Sequence, residues 1–337
     1  NKTYQGTGTE PEQYFCYNKP VLSPADGIVE EIIDYVEDNV IGGNNTRQNW
    51  GNTIIIKHAA TLYTKLSHLK QGSFKVAKGA FVKKGDILAT CGSSGRSPEP
   101  HLHFQVQATP YIDSKTIAYP LAYFLQQQDV NCIIKTYAVP LENNIVGNIV
   151  PNAQLQHAFD FKPGYIMKVK AAGYEEEEWE VMVNTYNEPF FYCSRYHAYA
   201  YFINNGSMFY FTNYFGSRHA FLYLFYQAAY KIVLSTNKKI TITDTFPQNI
   251  FATHPLKWLQ DLLAPFYIFM KMKYTSMVIK DEDMLGGGNI VLKSYSQQYM
   301  PDTIKQKMLA GIQIQQGKLY GFQVTFNNKK IEASCKN

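Results

Sequence analysis

Short apolar runs cut by Gly, Pro, Asn and Asp recur along this chain, and the two-residue alternation of strands outweighs the 3.6-residue period of helices. Punctuation is densest between residues 20 and 108. Val21-Leu22-Ser23-Pro24-Ala25-Asp26-Gly27-Ile28-Val29 reads as strand, turn and strand. Thr53-Ile54-Ile55-Ile56 follows Trp50-Gly51-Asn52 and predicts a buried strand entered through a turn. Residues 61–69 are strand-like. Gly79 and Gly85 bracket Val82-Lys83-Lys84, and Ile87-Leu88-Ala89 comes next. Gly92-Ser93-Ser94-Gly95 is a loop. His101-Leu102-His103-Phe104-Gln105-Val106-Gln107 alternates cleanly, as a strand does. Tyr119-Pro120-Leu121-Ala122-Tyr123-Phe124 predicts a closing turn and a short helix.

The texture changes further along. Residues 143–152 are polar and turn-rich, a natural connection between domains, and the chain divides into 1–135 and 136–337. Aromatic strand-like runs then fall at 165–169, 179–183, 190–192, 199–202 and 208–214, with a late strand at 319–326. Two helices are expected, at 219–234 (apolar nearly all round) and at 258–270. Glu175-Glu176-Glu177-Glu178 predicts a solvated turn, and Gly286-Gly287-Gly288 a loop. The fold class expected is mainly β: an antiparallel sheet domain, then a β-rich domain with one or two helices.

At 337 residues and 45% hydrophobic composition the chain is long enough for two cored domains and is not disordered. Tyr (26) and Phe (21) are abundant and favour strands. Residues 1–135 hold 13 basic against 12 acidic side chains and residues 136–337 hold 19 against 15, so neither part has the basic field that nucleic acid requires. No apolar run approaches the ~18 residues of a membrane-spanning helix. Cysteines at 16, 91, 132, 193 and 335 form no CxxC pair, so neither a disulfide framework nor a zinc ribbon is indicated. The first residue is Asn1, with neither Met nor signal peptide, so an upstream segment is expected.

His101 and His103 are the first chemical signal. At i and i+2 in a strand, both imidazoles leave one face, where they can share a metal, or one can ligate while the other handles a proton. Their surroundings sharpen this. The blocks around Pro24-Ala25-Asp26-Gly27, Trp50-Gly51-Asn52, Ser67-His68-Leu69, Lys84-Gly85-Asp86, Gly92-Ser93-Ser94-Gly95-Arg96 and Pro100-His101-Leu102-His103-Phe104 occur in order. This arrangement over residues 20–108 resembles the lysostaphin-type, or LytM-like, zinc metallopeptidases. The resemblance implies an antiparallel sheet with a groove and hydrolysis of peptide cross-links in bacterial cell walls. It implies that His103 is a zinc ligand, that His101 helps polarise the attacking water, and that His68 steadies the tetrahedral oxyanion. Zinc acidifies water and polarises the carbonyl, and imidazoles carry the proton and the developing charge.

The family draws two further ligands from an HxxxD segment ahead of the Pro-Ala-Asp-Gly block, and residues 1–20 contain neither His nor Asp. Catalytic zinc needs three protein ligands. Two readings follow: a zinc endopeptidase whose ligand pair precedes Asn1, or a peptidase-like binding or scaffold subunit of an envelope assembly that no longer cuts. The expected partners are peptidoglycan peptides or envelope proteins, with no nucleic acid. The resemblance places the protein in the bacterial envelope, periplasmic or outer-membrane associated, with a lipid anchor upstream of Asn1 compatible with this.

Other motifs carry less. His157-Ala158-Phe159-Asp160 has HxxD rather than HxxxD spacing and follows the HxH, so a strand with an outward Asp is expected. His58 follows a buried strand and reads as structural, as do His197, His219 and His254. Met270-Lys271-Met272 matches the biotinyl acceptor triplet but stands far from the Pro-Ala-Asp-Gly block. Ser94 and Ser97 lack the GxSxG context of a serine hydrolase.

Overall fold

Ile54 and Ile56, both fully buried, alternate along the third strand of the chain and define the core of its first part. The computed structural model describes residues 2–238, 240–248, 254–281 and 289–336. It divides into two compact units, Asn1–Pro120 and Leu121–Asn337. Residue 135, where composition suggested a division, lies inside a hairpin that belongs to the second unit.

The first unit contains β1 (Pro20–Leu22), β2 (Gly27–Ile33), β3 (Asn52–Ala59), β4 (Leu62–Leu69), β5 (Phe81–Val82), β6 (Ile87–Thr90) and β7 (His103–Gln107). Five strands form an antiparallel sheet in the order β5-β2-β3-β4-β7, and β1 pairs with β6 in a second, two-stranded sheet. Val29, Ile54, Ile56 and Leu66 from the larger sheet pack with Val21, Leu88 and Ala89 from the smaller. One face of the larger sheet is thereby buried, and the other carries polar side chains beside the buried Ile55 and Tyr63. His58 spans Asp26 O (2.7 Å) and Thr64 Oγ1 (2.8 Å), the structural role expected of it.

The second unit is built on strands β8 (Leu121–Gln128), β9 (Asn131–Ala138), β10 (Val146–Gly147), β11 (Ile166–Ala171), β12 (Glu177–Val183), β13 (Pro189–Cys193), β14 (Ala198–Asn204) and β15 (Met208–Phe215). It continues with β16 (Lys231–Val233), β17 (Ile240–Asp244), β18 (Lys271–Asp281), β19 (Asn289–Tyr299), β20 (Ile304–Gln315), β21 (Lys318–Phe326) and β22 (Lys329–Lys336). Among the described residues these make one 15-stranded sheet, antiparallel except where β17 meets β9. The edge strand β16, which pairs with β15, also packs against β17 and β18, so the sheet curls around an apolar interior. The mainly β class expected from composition is the one observed. No helix among the described residues is long and apolar enough to cross a membrane.

The three α-helices are α1 (Ala153–Ala158), α2 (Phe221–Ala228) and α3 (His254–Leu263). Helix α2 is apolar all round because aromatic rings surround it: Phe225 lies 5.6 Å from Trp179, 5.7 Å from Phe211 and 5.4 Å from Phe322, centroid to centroid. It is shorter than the 219–234 expected. Ile232 and Val233 instead enter β16 and pair with Phe209 and Met208, where β-branched side chains fit better. Helix α3 also stops short of Met270, because Pro265 disfavours helical backbone at Ala264. The helix expected near 119–124 is replaced by β8, which turns at Asp129 (φ 54°) into β9.

Two further readings are corrected. His157 lies in α1 rather than a strand, its Nδ1 2.8 Å from Gly317 O, while Asp160 pairs with Lys162 at 3.0 Å. Glu177 is not on a solvated turn: it opens β12 and is 1% exposed. Its carboxylate accepts from Phe221 N (2.7 Å) at the start of α2 and from Trp179 Nε1 (2.9 Å). Helix α2 has no capping side chain of its own, so Glu177 caps it from the sheet. The Gly286-Gly287-Gly288 loop and the side chain of His254 lie outside the described residues, and Lys271 opens β18.

Replacing Glu177 by Ala leaves the Trp179 indole and the first α2 amides without a buried acceptor. We expect a loss on the order of 3 kcal/mol for the second unit, read from its urea midpoint. An unchanged midpoint would show that α2 needs no cap.

Candidate active site

Strands β4 and β7 lie side by side, with Ser67 opposite His103 and Lys65 opposite Gln105. Leu66 and Phe104 join the core, so alternation sends Lys65, Ser67, His103, Gln105 and Gln107 to the opposite, polar face. Simple alternation would send His68 toward the core with Leu66. A register shift prevents this: Asn52 pairs with Leu69 and Ile54 with Leu66, so β4 carries extra chain opposite Thr53. His68 takes up φ 63° within this bulge, and its ring comes to 4.6 Å from His101 and 6.0 Å from His103, centroid to centroid.

The three sequence-predicted histidines therefore meet, though not as an uninterrupted strand would place them. Only His103 is in β7. His101 precedes the strand and is exposed. Its Nδ1 is 2.9 Å from Glu99 O and 3.2 Å from Ser97 Oγ, so the ring is held by its own turn.

A buried polar network holds the surrounding loops. Asn52 is fully buried. Its Nδ2 donates to Val36 O (2.7 Å) and Leu69 O (3.0 Å), and its Oδ1 accepts from Val36 N (2.9 Å). Ser94 Oγ accepts from Asn52 N (2.9 Å) and donates to Leu69 O (2.7 Å). His68 Nδ1 donates to Ser94 O at 2.8 Å. Gly51 (φ 61°) and Gly95 (φ 79°) pass back to back beside this network. A Cβ on Gly51 would lie 2.4 Å from Ser94 O, and one on Gly95 2.4 Å from Gly51 N.

The tautomers follow from which partners can only accept. Gln107 Nε2 donates to Thr109 O (2.8 Å) and Tyr111 O (3.0 Å), so its Oε1 accepts from Gln105 Nε2 (2.8 Å). Gln105 Nε2 also donates to Ser114 O (2.9 Å), which turns Gln105 Oε1 toward His103 Nε2 at 3.1 Å. His103 must donate there, leaving the lone pair on Nδ1. His68 and His101 are each bonded through Nδ1 to a carbonyl, which leaves their lone pairs on Nε2.

Burial lowers the His68 pKa to about 4, and His103 is lowered by the same cause. A neutral His68 accepts a proton at Nε2. It supports an anion as a donor only after it has gained one. Lys65 lies beneath Trp50 with Nζ 3.1 Å from the ring centroid and donates to Ile112 O (2.6 Å); burial lowers its pKa to about 8. Trp50 Nε1 donates to Asp113 Oδ1 at 2.9 Å.

His103 Nδ1, with its other nitrogen held by Gln105, has the form of a metal-ligating imidazole. Among the described residues, however, no three His, Cys, Asp or Glu side chains come together to hold a metal. The donors present do not make up a complete zinc site. The sequence reading did not single out Lys65, Gln105 or Gln107. The Gln residues were detectable as the continuation of the HxH alternation, but nothing in a β-strand lysine announces burial.

Two measurements test this geometry. Because His68 is neutral when folded and has an unperturbed pKa near 6.5 when unfolded, its contribution is complete above pH 6.5 and is lost as the pH falls through about 4. His68→Asn should flatten the fall in melting temperature over that window. An equally steep fall would contradict the buried neutral ring. Gln105→Leu removes the acceptor that selects the His103 tautomer, so the imidazole 15N shifts of His103 should change from a pure Nε2–H pattern to a mixture. Unaltered shifts would remove Gln105 from this role.

The profile described as "Peptidase family M23" matches residues 13–115. The cell division protein DipM of Caulobacter vibrioides is 32% identical over 96 residues, covering 28% of this chain and 14% of that protein. The peptidoglycan DD-endopeptidase ShyC of Vibrio cholerae is 33% identical over 86 residues, covering 26% of this chain and 17% of that protein. A solved zinc-containing peptidase from Vibrio cholerae is 32% identical over 27% of this chain and 24% of its own, with a TM-score of 0.22. The chain thus spans less than a fifth of the length of these two curated relatives. The matched residues take in β1 to β7 and all three histidines. Residues 13–115 form a domain of peptidase family M23.

Proposed function

We propose that the M23 domain acts on peptidoglycan peptides in the bacterial cell envelope, as a zinc endopeptidase with His103 among the zinc ligands. The observation that carries this reading is the meeting of His68, from the bulge in β4, with His101 and His103, at the entry to β7, beside the polar face of the sheet. Relatives named as a peptidoglycan DD-endopeptidase and a cell division protein support the substrate class and the location. In this reading His101, oriented by Glu99 O and Ser97 Oγ, takes the proton of the attacking water at Nε2. His101 then passes that proton to the leaving nitrogen, while His68, after taking a proton at Nε2 from solvent, faces the developing oxyanion as a donor.

A second reading is a peptidase-like subunit that binds wall peptides or envelope proteins without cutting them. The enzyme needs two ligands beyond His103, whereas the binding subunit needs none.

The full-length protein distinguishes the two. For the enzyme, we expect about one zinc per chain and cleavage of a cross-linked muropeptide that His101→Ala lowers by about 100-fold or more. Neither zinc nor cleavage, with muropeptide binding retained, would establish the binding subunit instead. Cleavage unchanged in His101→Ala would overturn the proton-transfer role.

A further inference from the structure

Cys16 and Cys91 are 75 positions apart in sequence, and the fold packs Cys16 against the core cluster to which Cys91 belongs. The chain turns back at Cys16: Lys19 N donates to Cys16 O (3.1 Å), with Asn18 in the left-handed region at φ 57°. The residues after the turn are laced to Cys91, with Asn18 N donating to Cys91 O (2.8 Å) and Cys91 N to Lys19 O (2.9 Å). These bonds continue the pairing of Pro20 with Thr90 in β1 and β6. Cys16 is left packed against the core cluster that contains Cys91, and the Cys91 thiol itself points to Gly92 O (3.8 Å).

The two sulfurs differ in access. Cys16 is half-buried, whereas Cys91 is 3% exposed and belongs to the core with Leu69 and Leu88. Cys16 Sγ also lies 3.1 Å from Pro100 O, the carbonyl immediately before His101. Neither cysteine takes part in the chemistry proposed above, and no metal-ligand cluster includes them.

We propose that Cys16 and Cys91 are a redox pair that closes to an intramolecular disulfide by exchange with a small-molecule disulfide. Cys16 attacks first, because it is the accessible sulfur. Cys16 is also the more acidic of the two: the neighbouring Cys91 thiol lowers its pKa, while the same contact and burial raise that of Cys91, so Cys16 is the first to become thiolate. The Cys16 thiolate displaces one half of the reagent as a thiolate and forms a mixed disulfide. Cys91 then gives up its proton, attacks Cys16 Sγ and displaces the second half. Both cysteine sulfurs are oxidised, both reagent sulfurs are reduced to thiols, and the two cysteine protons end on them. The product ties residues 16–19 covalently to the end of β6 and withdraws the Cys16 thiol from Pro100 O, next to His101.

The test uses the folded chain, glutathione disulfide as the reagent, and peptide mapping without reduction, so that any adduct at Cys132 is scored apart. The expected result is a Cys16–Cys91 cross-link with no glutathione retained at either residue. In Cys91→Ser the resolving sulfur is missing, and glutathione should stay on Cys16. In Cys16→Ser the buried Cys91 should remain a free thiol while the protein is folded. Should the unmodified protein hold glutathione on Cys16 beside a free Cys91, the pairing is wrong. Failure of Cys16 to react at all would equally overturn the proposal.

Discussion

Ser94 joins the loops of the site through both its hydroxyl and its carbonyl. The hydroxyl links the start of β3 to the end of β4, accepting from Asn52 N and donating to Leu69 O, and the carbonyl receives the His68 imidazole. The arrangement works because Asn52, Ser94 and His68 are buried. A buried amide, hydroxyl and imidazole each cost free energy unless fully paired, so their mutual bonds leave few alternatives for the loops around them. The glycines at 51 and 95 belong to the same constraint, since any side chain there would drive the two loops apart. His68, in a bulge with left-handed backbone, is held in a conformation that an isolated strand would not adopt.

A second polar network runs along β7. Backbone carbonyls at Thr109, Tyr111 and Ser114 orient two glutamine amides, and these choose the tautomer of His103. The same segment covers the Lys65 ammonium through Ile112 O. A sheet face that would ordinarily meet water has become a partly buried polar surface, in which each imidazole has one nitrogen committed and one lone pair available. That state suits either a ligand or a proton acceptor, which is why both functional readings draw on the same three rings.

The second unit solves a different problem. Its helix α2 has no polar face to show to solvent, and the curled sheet supplies aromatic neighbours on several sides. Enclosing a helix leaves its first amides without water, and Glu177 answers that need from within β12. A carboxylate in an apolar interior is tolerable because an indole N–H and the positive end of a helix share it.

Much of this could be read from the sequence. Turn residues and alternation located most strands of the first unit, and the ordered blocks from Pro24 to Phe104 pointed to the family and to His68, His101 and His103 together. These features are local, written in spacings of two to five residues, and local backbone preference acts at that range. What the sequence left open is non-local. Whether 221–234 is one helix or a helix and a strand depended on β15 offering a partner to Ile232 and Val233. The burial of Glu177 and the cover over Lys65 depended on segments tens of residues away, whereas the amide relay behind His103 closes within residues 103–114 but needs the turn after β7 to fold back on the strand. The approach of Cys16 to Cys91 likewise depended on distant segments. A hydrogen bond or a thiol pair between distant residues has no periodicity to betray it, and only the packing of one segment on another decides that it forms.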